Sequence, residues 1–304
     1  MPDFTLASLR GTSRKVAAAV AGERVHPLPG EPTMREVLDE WDGWQRRIED
    51  ALGSAGMGPG IPLDEVALAA PVPEPRNLYM LGANYADHAR EMRRLAPEAP
   101  VEPSPVGPFV FLKPTTTVVG PGEPVLLPAE TRRLDWEVEL AAVIGRRADR
   151  VGEAEALRCV AGYTVINDVS ARDLFKRDPA PEPPMTFDWF KQKGWRTSCP
   201  MGPFLVPARL CPDPGALEIS LRLNGELMQS SSTAEMIFTL AQQIAFISRI
   251  VPLLPGDVIS TGTPAGVGAG RGRFLAPGDV MVAQIAGIGR LENAVVADVA
   301  GGGD

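Results

Sequence analysis

Two periodicities divide the chain. In TMREVLDEWDGWQRRIEDAL (33–52), Met34, Val37, Leu38, Trp41, Trp44, Ile48 and Leu52 recur at helical spacing. Thr33 followed by Glu36 has the form of a capping box, which predicts where that helix starts. After residue 76 the pattern changes to short apolar runs bounded by Gly, Pro, Asn or Asp. RNLYMLGAN (76–84), PFVFLKP (108–114), EVELAAVIG (137–145) and GYTVIND (162–168) all read as strands. In ISLRLNGELMQS (219–230), Asn224-Gly225 between alternating segments predicts a tight hairpin. A further helix is predicted where Ser232 and Glu235 have capping-box spacing ahead of Ile237, Leu240, Ile244 and Ile247. It stops before Pro252.

The proline-rich PVPEPRN (71–77) lies between the two textures and predicts a boundary. The expectation is a small N-terminal domain over residues 1–70 and a larger domain over 71–304. The order of elements predicts an α+β fold of mixed β-structure rather than a repeated βαβ pattern.

Composition narrows the function classes. At 304 residues, with 44% hydrophobic and 22% charged content, the chain can bury a sizeable core. A net charge of −8 argues against a nucleic-acid partner, since phosphate binding relies on clustered Lys and Arg. No apolar run is long enough to span a bilayer, and MPDFTLASLRG lacks the order of a signal peptide. Cys159, Cys199 and Cys211 are widely spaced and form no disulfide framework, which predicts a reducing, cytoplasmic setting. With only His26 and His88 present, a Cys/His zinc site is nearly excluded, and histidine chemistry must use one of the two. His26, in the irregular ERVHPLPG (23–30), is expected at the surface.

The candidate chemistry starts with LDWEVEL (134–140). On a continuous strand, Asp135, Glu137 and Glu139 would stand on one face roughly 7 Å apart. Alone, the stretch reads as an edge strand with a solvated acidic face. The sharper reading is that two of these acids share a hard divalent cation, Mg²⁺ or Ca²⁺, which needs further oxygen ligands. Asp168, at the end of the apolar GYTVIND, could supply one, because a lone acid there is costly unless paired or metal-bound.

In NYADHAREM (84–92), His88 and Glu91 are three residues apart and would be neighbours on a helical turn. A carboxylate beside an imidazole fixes its tautomer and suits a general base, although an ordinary surface pair has the same spacing. KRDPAPEPPMTFDWFKQKGW (176–195) reads as a long mobile loop that could cover a site and bring in Lys191 or Lys193. STGTPAGVG (260–268) concentrates backbone N–H groups suited to an anionic oxygen of a ligand, or forms a plain turn.

Together NYADHARE, LDWEVELAAVIG, GYTVINDVSARD, KGWRTSCPMGP and LLPGDVISTGTPAGVG, in this order, resemble the fumarylacetoacetate hydrolase family, in its acylpyruvase and oxaloacetate decarboxylase-like branch. The resemblance runs over about residues 70–292. It implies a mixed β-roll with flanking helices, usually homodimeric, using Mg²⁺ or Mn²⁺. It also implies that Glu137, Glu139 and Asp168 are metal ligands and that His88 and Glu91 form a catalytic dyad. Lys193 then meets substrate oxygens, with Tyr85, Arg172 and Thr263 as substrate-binding residues. Two departures from the pattern stand out: Phe175 stands where many relatives have Gln, and Gly194-Trp195-Arg196 replaces Ser-Phe-Asp.

The activity expected from the resemblance is hydrolytic C–C cleavage of a 1,3-dicarbonyl such as an acylpyruvate. The metal would stabilise the departing enolate, His88 would activate water and Lys193 would stabilise the oxyanion. Decarboxylation of oxaloacetate-like acids, or isomerisation or hydration of unsaturated 2-oxo-diacids, uses the same enolate without water attack. A non-catalytic or specialised-pathway relative is the remaining alternative. The expected partner is a small oxo-acid, with no nucleic acid and no membrane.

Overall fold

The structure is a computed structural model that describes residues 3–11, 14–54 and 56–298. Its large sheet has twelve strands. At its centre, Val138–Ile144 pairs antiparallel with Val160–Asn167 on one side and Val258–Ser260 on the other. Apart from Glu139, the strand Val138–Ile144 is apolar throughout because both of its faces are covered. Val138, Leu140, Ala142 and Ile144 enter a core with Trp136, Ile244 and Ile285. Ala141 and Val143 enter another with Met34, Trp41 and Leu205. A strand buried on both faces loses the alternation that marks a half-buried one.

The sheet continues past Cys199–Pro207 to Thr5–Leu9, Val16–Ala21 and Arg24–Pro27. The N-terminal segment therefore extends the same sheet through the Leu6–Leu205 pairing, and its helices pack on it. A second sheet of five strands carries the predicted hairpin. Glu218–Leu223 and Glu226–Ser232 are joined by Asn224 and Gly225, with φ of 53° and 84°. Those two positive values are what a type I′ turn requires, and they explain the Asn-Gly pair.

Helix boundaries differ in two places from those the sequence predicts. The first helix is two, Met34–Asp39 and Trp41–Gly53, broken at Glu40 (φ −122°, ψ 37°). Its Thr33–Glu36 capping box is present. The later helix is Leu240–Ile250, capped by Thr239 with Gln242, not by Ser232 with Glu235. Ser232 closes a strand, and its hydroxyl accepts from Ala234 N–H, so it caps only the short turn Thr233–Glu235. His26 is also not at the surface: it is buried, with its ring against Gly60.

Candidate active site and metal centre

The stretch 134–140 is not one strand. Leu134–Asp135 belongs to a two-stranded ribbon with Ser170–Ala171, residues 136 and 137 are irregular, and pairing resumes at Val138. The three acids therefore leave the evenly spaced row. All three are buried, so the solvated-edge alternative does not hold. Register then does the assembling. Val138 pairs with Asn167, so Glu137 lies opposite Asp168, whose N–H donates to the Glu137 carbonyl at 2.8 Å. Asn167 Oδ1 accepts from Glu137 N–H at 2.8 Å and holds the irregular residue in place. One carboxylate oxygen from each of Glu137, Glu139 and Asp168 lies within 4.8 Å of the others.

Buried like charges at this spacing need compensation. Lys193 Nζ donates to Glu137 Oε2 at 2.9 Å and to Asp168 Oδ2 at 2.6 Å. Arg172 lies 2.5 Å from Glu137 Oε1 through Nη2, out of line for a hydrogen bond, and 2.8 Å from Asp135 Oδ2 through Nε. Burial raises the Glu137 carboxyl, but Lys193 and Arg172 outweigh it and bring Glu137 to about 2. Burial, with Asp168 and Glu137 adding to it, pushes Glu139 well above the usual carboxylate range. Burial lowers Lys193, yet Asp168 and Glu137 more than reverse that and keep its ammonium charged.

The residues fit a divalent cation. The donor set is three buried carboxylates, hard oxygen ligands of the kind Mg²⁺, Mn²⁺ and Ca²⁺ prefer. Burial, with Asp168 and Glu137 beside it, makes a charged Glu139 costly, and a dication among these oxygens would offset that cost.

The dyad is positioned by a parallel pairing. Leu78–Gly82 runs beside Val258–Ser260 in the same direction, so the chain leaves both strands at the same end. Asn84 fastens the two exits by donating through Nδ2 to Thr261 O at 2.8 Å. The helix Ala86–Arg93 follows, with His88 Nδ1 3.4 Å from Glu91 Oε2. Gly266 N–H lies 3.1 Å from both Glu91 oxygens. Burial raises the Glu91 carboxyl, but His88 and the Gly266 N–H bring it below the usual range. One loop serves both groups: Gly262 N–H holds Glu139 of the triad and, four residues on, Gly266 N–H holds Glu91 of the pair.

Several donors of the 260–271 loop are taken by the protein's own carboxylates. Ser260 Oγ (2.6 Å) and Gly262 N–H (2.9 Å) hold Glu139 Oε2, and Gly266 N–H holds Glu91. Gly268 and Ala269 N–H groups hold Asp135 at 2.6 and 3.0 Å. Asp135 is thus no metal ligand but a buried strut between this loop and Arg172. Thr263 Oγ1 donates to Val138 O and accepts from Gln229 Nε2, both at 2.9 Å. The Tyr85 hydroxyl is buried beside Thr261.

Residues 176–195 reach the site through Lys193. A turn at Pro183–Thr186 leads to the helix Trp189–Lys193, N-capped by Asp188. Lys193 is buried in the centre, whereas Lys191 is exposed. Sequence reasoning missed Lys113, whose Nζ donates to Asp168 Oδ1 at 2.6 Å and Val169 O at 3.1 Å. Its signal was a lysine inside the apolar VFLKP. Cys199 is wholly buried nearby, and burial pushes its thiol up to about 12.

Residues 77–296 match the family profile described as Fumarylacetoacetate (FAA) hydrolase C-terminal. The chain belongs to the fumarylacetoacetate hydrolase family. A mitochondrial oxaloacetate tautomerase from Bos taurus is 40% identical over 266 residues, covering 87% of this chain and 80% of that one. A probable 2-hydroxyhepta-2,4-diene-1,7-dioate isomerase from Mycobacterium abscessus is 31% identical, with a TM-score of 0.78 over 97% of this chain and 99% of its own. A Sphingobium maleylpyruvate hydrolase, solved with manganese(II) and pyruvate, is 28% identical, with a TM-score of 0.77 over 96% and 99%. Members of the family similar to this chain thus bear names of three different reactions. Divalent-metal binding is supported from two sides, by the buried triad here and by the manganese of the Sphingobium hydrolase. No helix among the described residues is long and apolar enough to cross a membrane.

Proposed function

We propose that this protein is a Mg²⁺- or Mn²⁺-dependent enzyme that cleaves an acylpyruvate-type 1,3-dicarbonyl by hydrolysis. The observation that carries the reading is the His88–Glu91 pair beside the carboxylate triad. Glu137, Glu139 and Asp168 would hold the cation, which when bound supplies positive charge for an enolate-type oxyanion. Glu91, fixed by Gly266, faces His88 Nδ1 and leaves Nε2 to accept a proton from water. The hydroxide adds to the distal carbonyl and the C–C bond breaks. Its electron pair passes to the pyruvate fragment, which takes a proton back from His88. One water is consumed, giving a carboxylic acid and pyruvate. Lys193, kept charged among acids, lies where it could meet the developing oxyanion.

A second reading, tautomerisation of an oxaloacetate-like acid, is favoured by the 40% identity to the bovine tautomerase. There His88 would move a proton between carbon and oxygen without consuming water. The net charge of −8 and the three buried free cysteines support a small-molecule substrate and a reducing, cytoplasmic setting, with the homodimer that the resemblance implies. The test is incubation of acylpyruvates and oxaloacetate with protein and Mn²⁺, products read by mass spectrometry. Hydrolysis gives two fragments that together gain one water. Unchanged mass in H2O, with enzyme-accelerated deuterium uptake at carbon 3 in D2O and no cleavage, would instead favour the tautomerase. Cleavage that survives His88→Ala would refute water activation by the dyad.

A further inference from the structure

An aromatic surface begins at the catalytic lysine and runs out to solvent. Lys193 Nζ lies 5.6 Å from the Phe111 ring centroid. Trp189 then packs on Phe111 at 5.0 Å and on Phe109 at 4.9 Å, and meets Phe175 edge-on at 4.8 Å. Phe175 stacks on Phe187 at 4.9 Å with an interplanar angle of 23°. Phe109 and Phe187 are 51% and 58% exposed, so the far end of this surface is open. Five rings contiguous with a charged centre, two of them paying the cost of hydration, are more than a short segment needs for its own packing.

Residues 176–195 offer a second carboxylate the exposed ammonium groups of Lys176 and Lys191 but no free guanidinium fork. The one guanidinium in 176–195 is Arg177, and it is already paired with Asp188, Nε to Oδ2 at 2.6 Å. Arg172, at the start of the turn leading to Phe175, is taken by Asp135 and Glu137. A carboxylate laid on the rings would give up water without a fork of donors to replace it. A flat apolar group would instead find ring faces on which to stack.

We infer that the substrate has two unlike ends: a 2-oxo-acid head at the metal centre and an apolar, planar or extended acyl group on the Phe111–Trp189–Phe175–Phe187 surface. This rests on the proposed 2-oxo-acid chemistry and narrows it, because it disfavours diacids. Phe175 and Phe187 then act as specificity residues, not as parts of the proton-transfer machinery.

The test separates binding from turnover. Phenylpyruvate and 2-oxoglutarate share the head and differ in the distal group, and both are titrated by calorimetry into the full-length protein with Mn²⁺. Phenylpyruvate is expected to bind at least about tenfold more tightly. Phe175→Gln and, at the exposed position, Phe187→Ser should shrink that ratio while leaving 2-oxoglutarate affinity in place. Equal or tighter binding of 2-oxoglutarate by the wild type overturns the inference. So does a loss in the variants that is the same for both ligands, which would make the rings a structural clasp only. Failure to cleave any acylpyruvate, with the binding preference intact, would count against the proposed reaction and leave this inference standing.

Discussion

The 260–271 loop and residues 176–195 reach the same carboxylates by different means. The loop uses mainly backbone N–H groups, which hold Glu139, Glu91 and Asp135 from fixed positions. Residues 176–195 use side chains: one lysine on a five-residue helix, Trp189 packed on Phe109 and Phe111, and Phe187 stacked on the preceding Phe175. Backbone donors have no rotamers to lose, so the loop preorganises whatever it touches. Aromatic side chains on a short helix can repack when a ligand of different shape arrives. On the proposed reading, the loop serves the chemistry and residues 175–195 the selectivity.

That division can be attacked from the top down. Glu139→Ala removes a proposed ligand and should weaken Mn²⁺ binding by more than about 100-fold by calorimetry, beyond what loss of a supporting contact costs. Gly266→Ala comes next. At φ +100° its Cβ would stand 2.0 Å from Met228 O, so a loss of about 3 kcal/mol or more is expected from urea unfolding. A Gly266→Ala protein of wild-type stability would show that the loop is not the rigid partner. Ser260→Ala takes one of two donors from Glu139 and should reduce Mn²⁺ affinity about 10-fold with the fold intact. At the other end, Arg177→Ala breaks a pair whose arginine is largely exposed. It should cost less than about 1 kcal/mol in unfolding free energy. A larger cost would mean that residues 176–195 are as rigidly held as the loop.

Much of this site was legible because its residues are chemically improbable where they stand. Acids in DWEVE and at the end of GYTVIND, and a histidine three residues from a glutamate, announce themselves in one dimension. The hairpin at Asn224-Gly225 was legible for the same reason, since few residues tolerate its backbone. What stayed hidden depends on pairing across the fold. Asp135 and Glu137 have the same local spacing, yet only register shows one opposite Asp168 and the other under Gly268. Ser260, Gly262 and Gly266 read as a ligand cradle until the carboxylates they serve were in place. Lys113 needed Asp168 beside it before its burial made sense. The misplaced helix start has a local cause: Ser232–Glu235 and Thr239–Gln242 carry equivalent spacings, and strand pairing with Glu218 holds the first of them extended.

The buried thiol of Cys199 turns this architecture into something that can be timed. Burial that pushes it up to about 12 keeps it protonated and out of reach of reagents while the sheet is closed. Modification must therefore wait for the strand Cys199–Pro207 to part from its neighbours. Its labelling rate at neutral pH becomes a clock for the opening of the sheet that carries the metal centre, read without reference to any substrate.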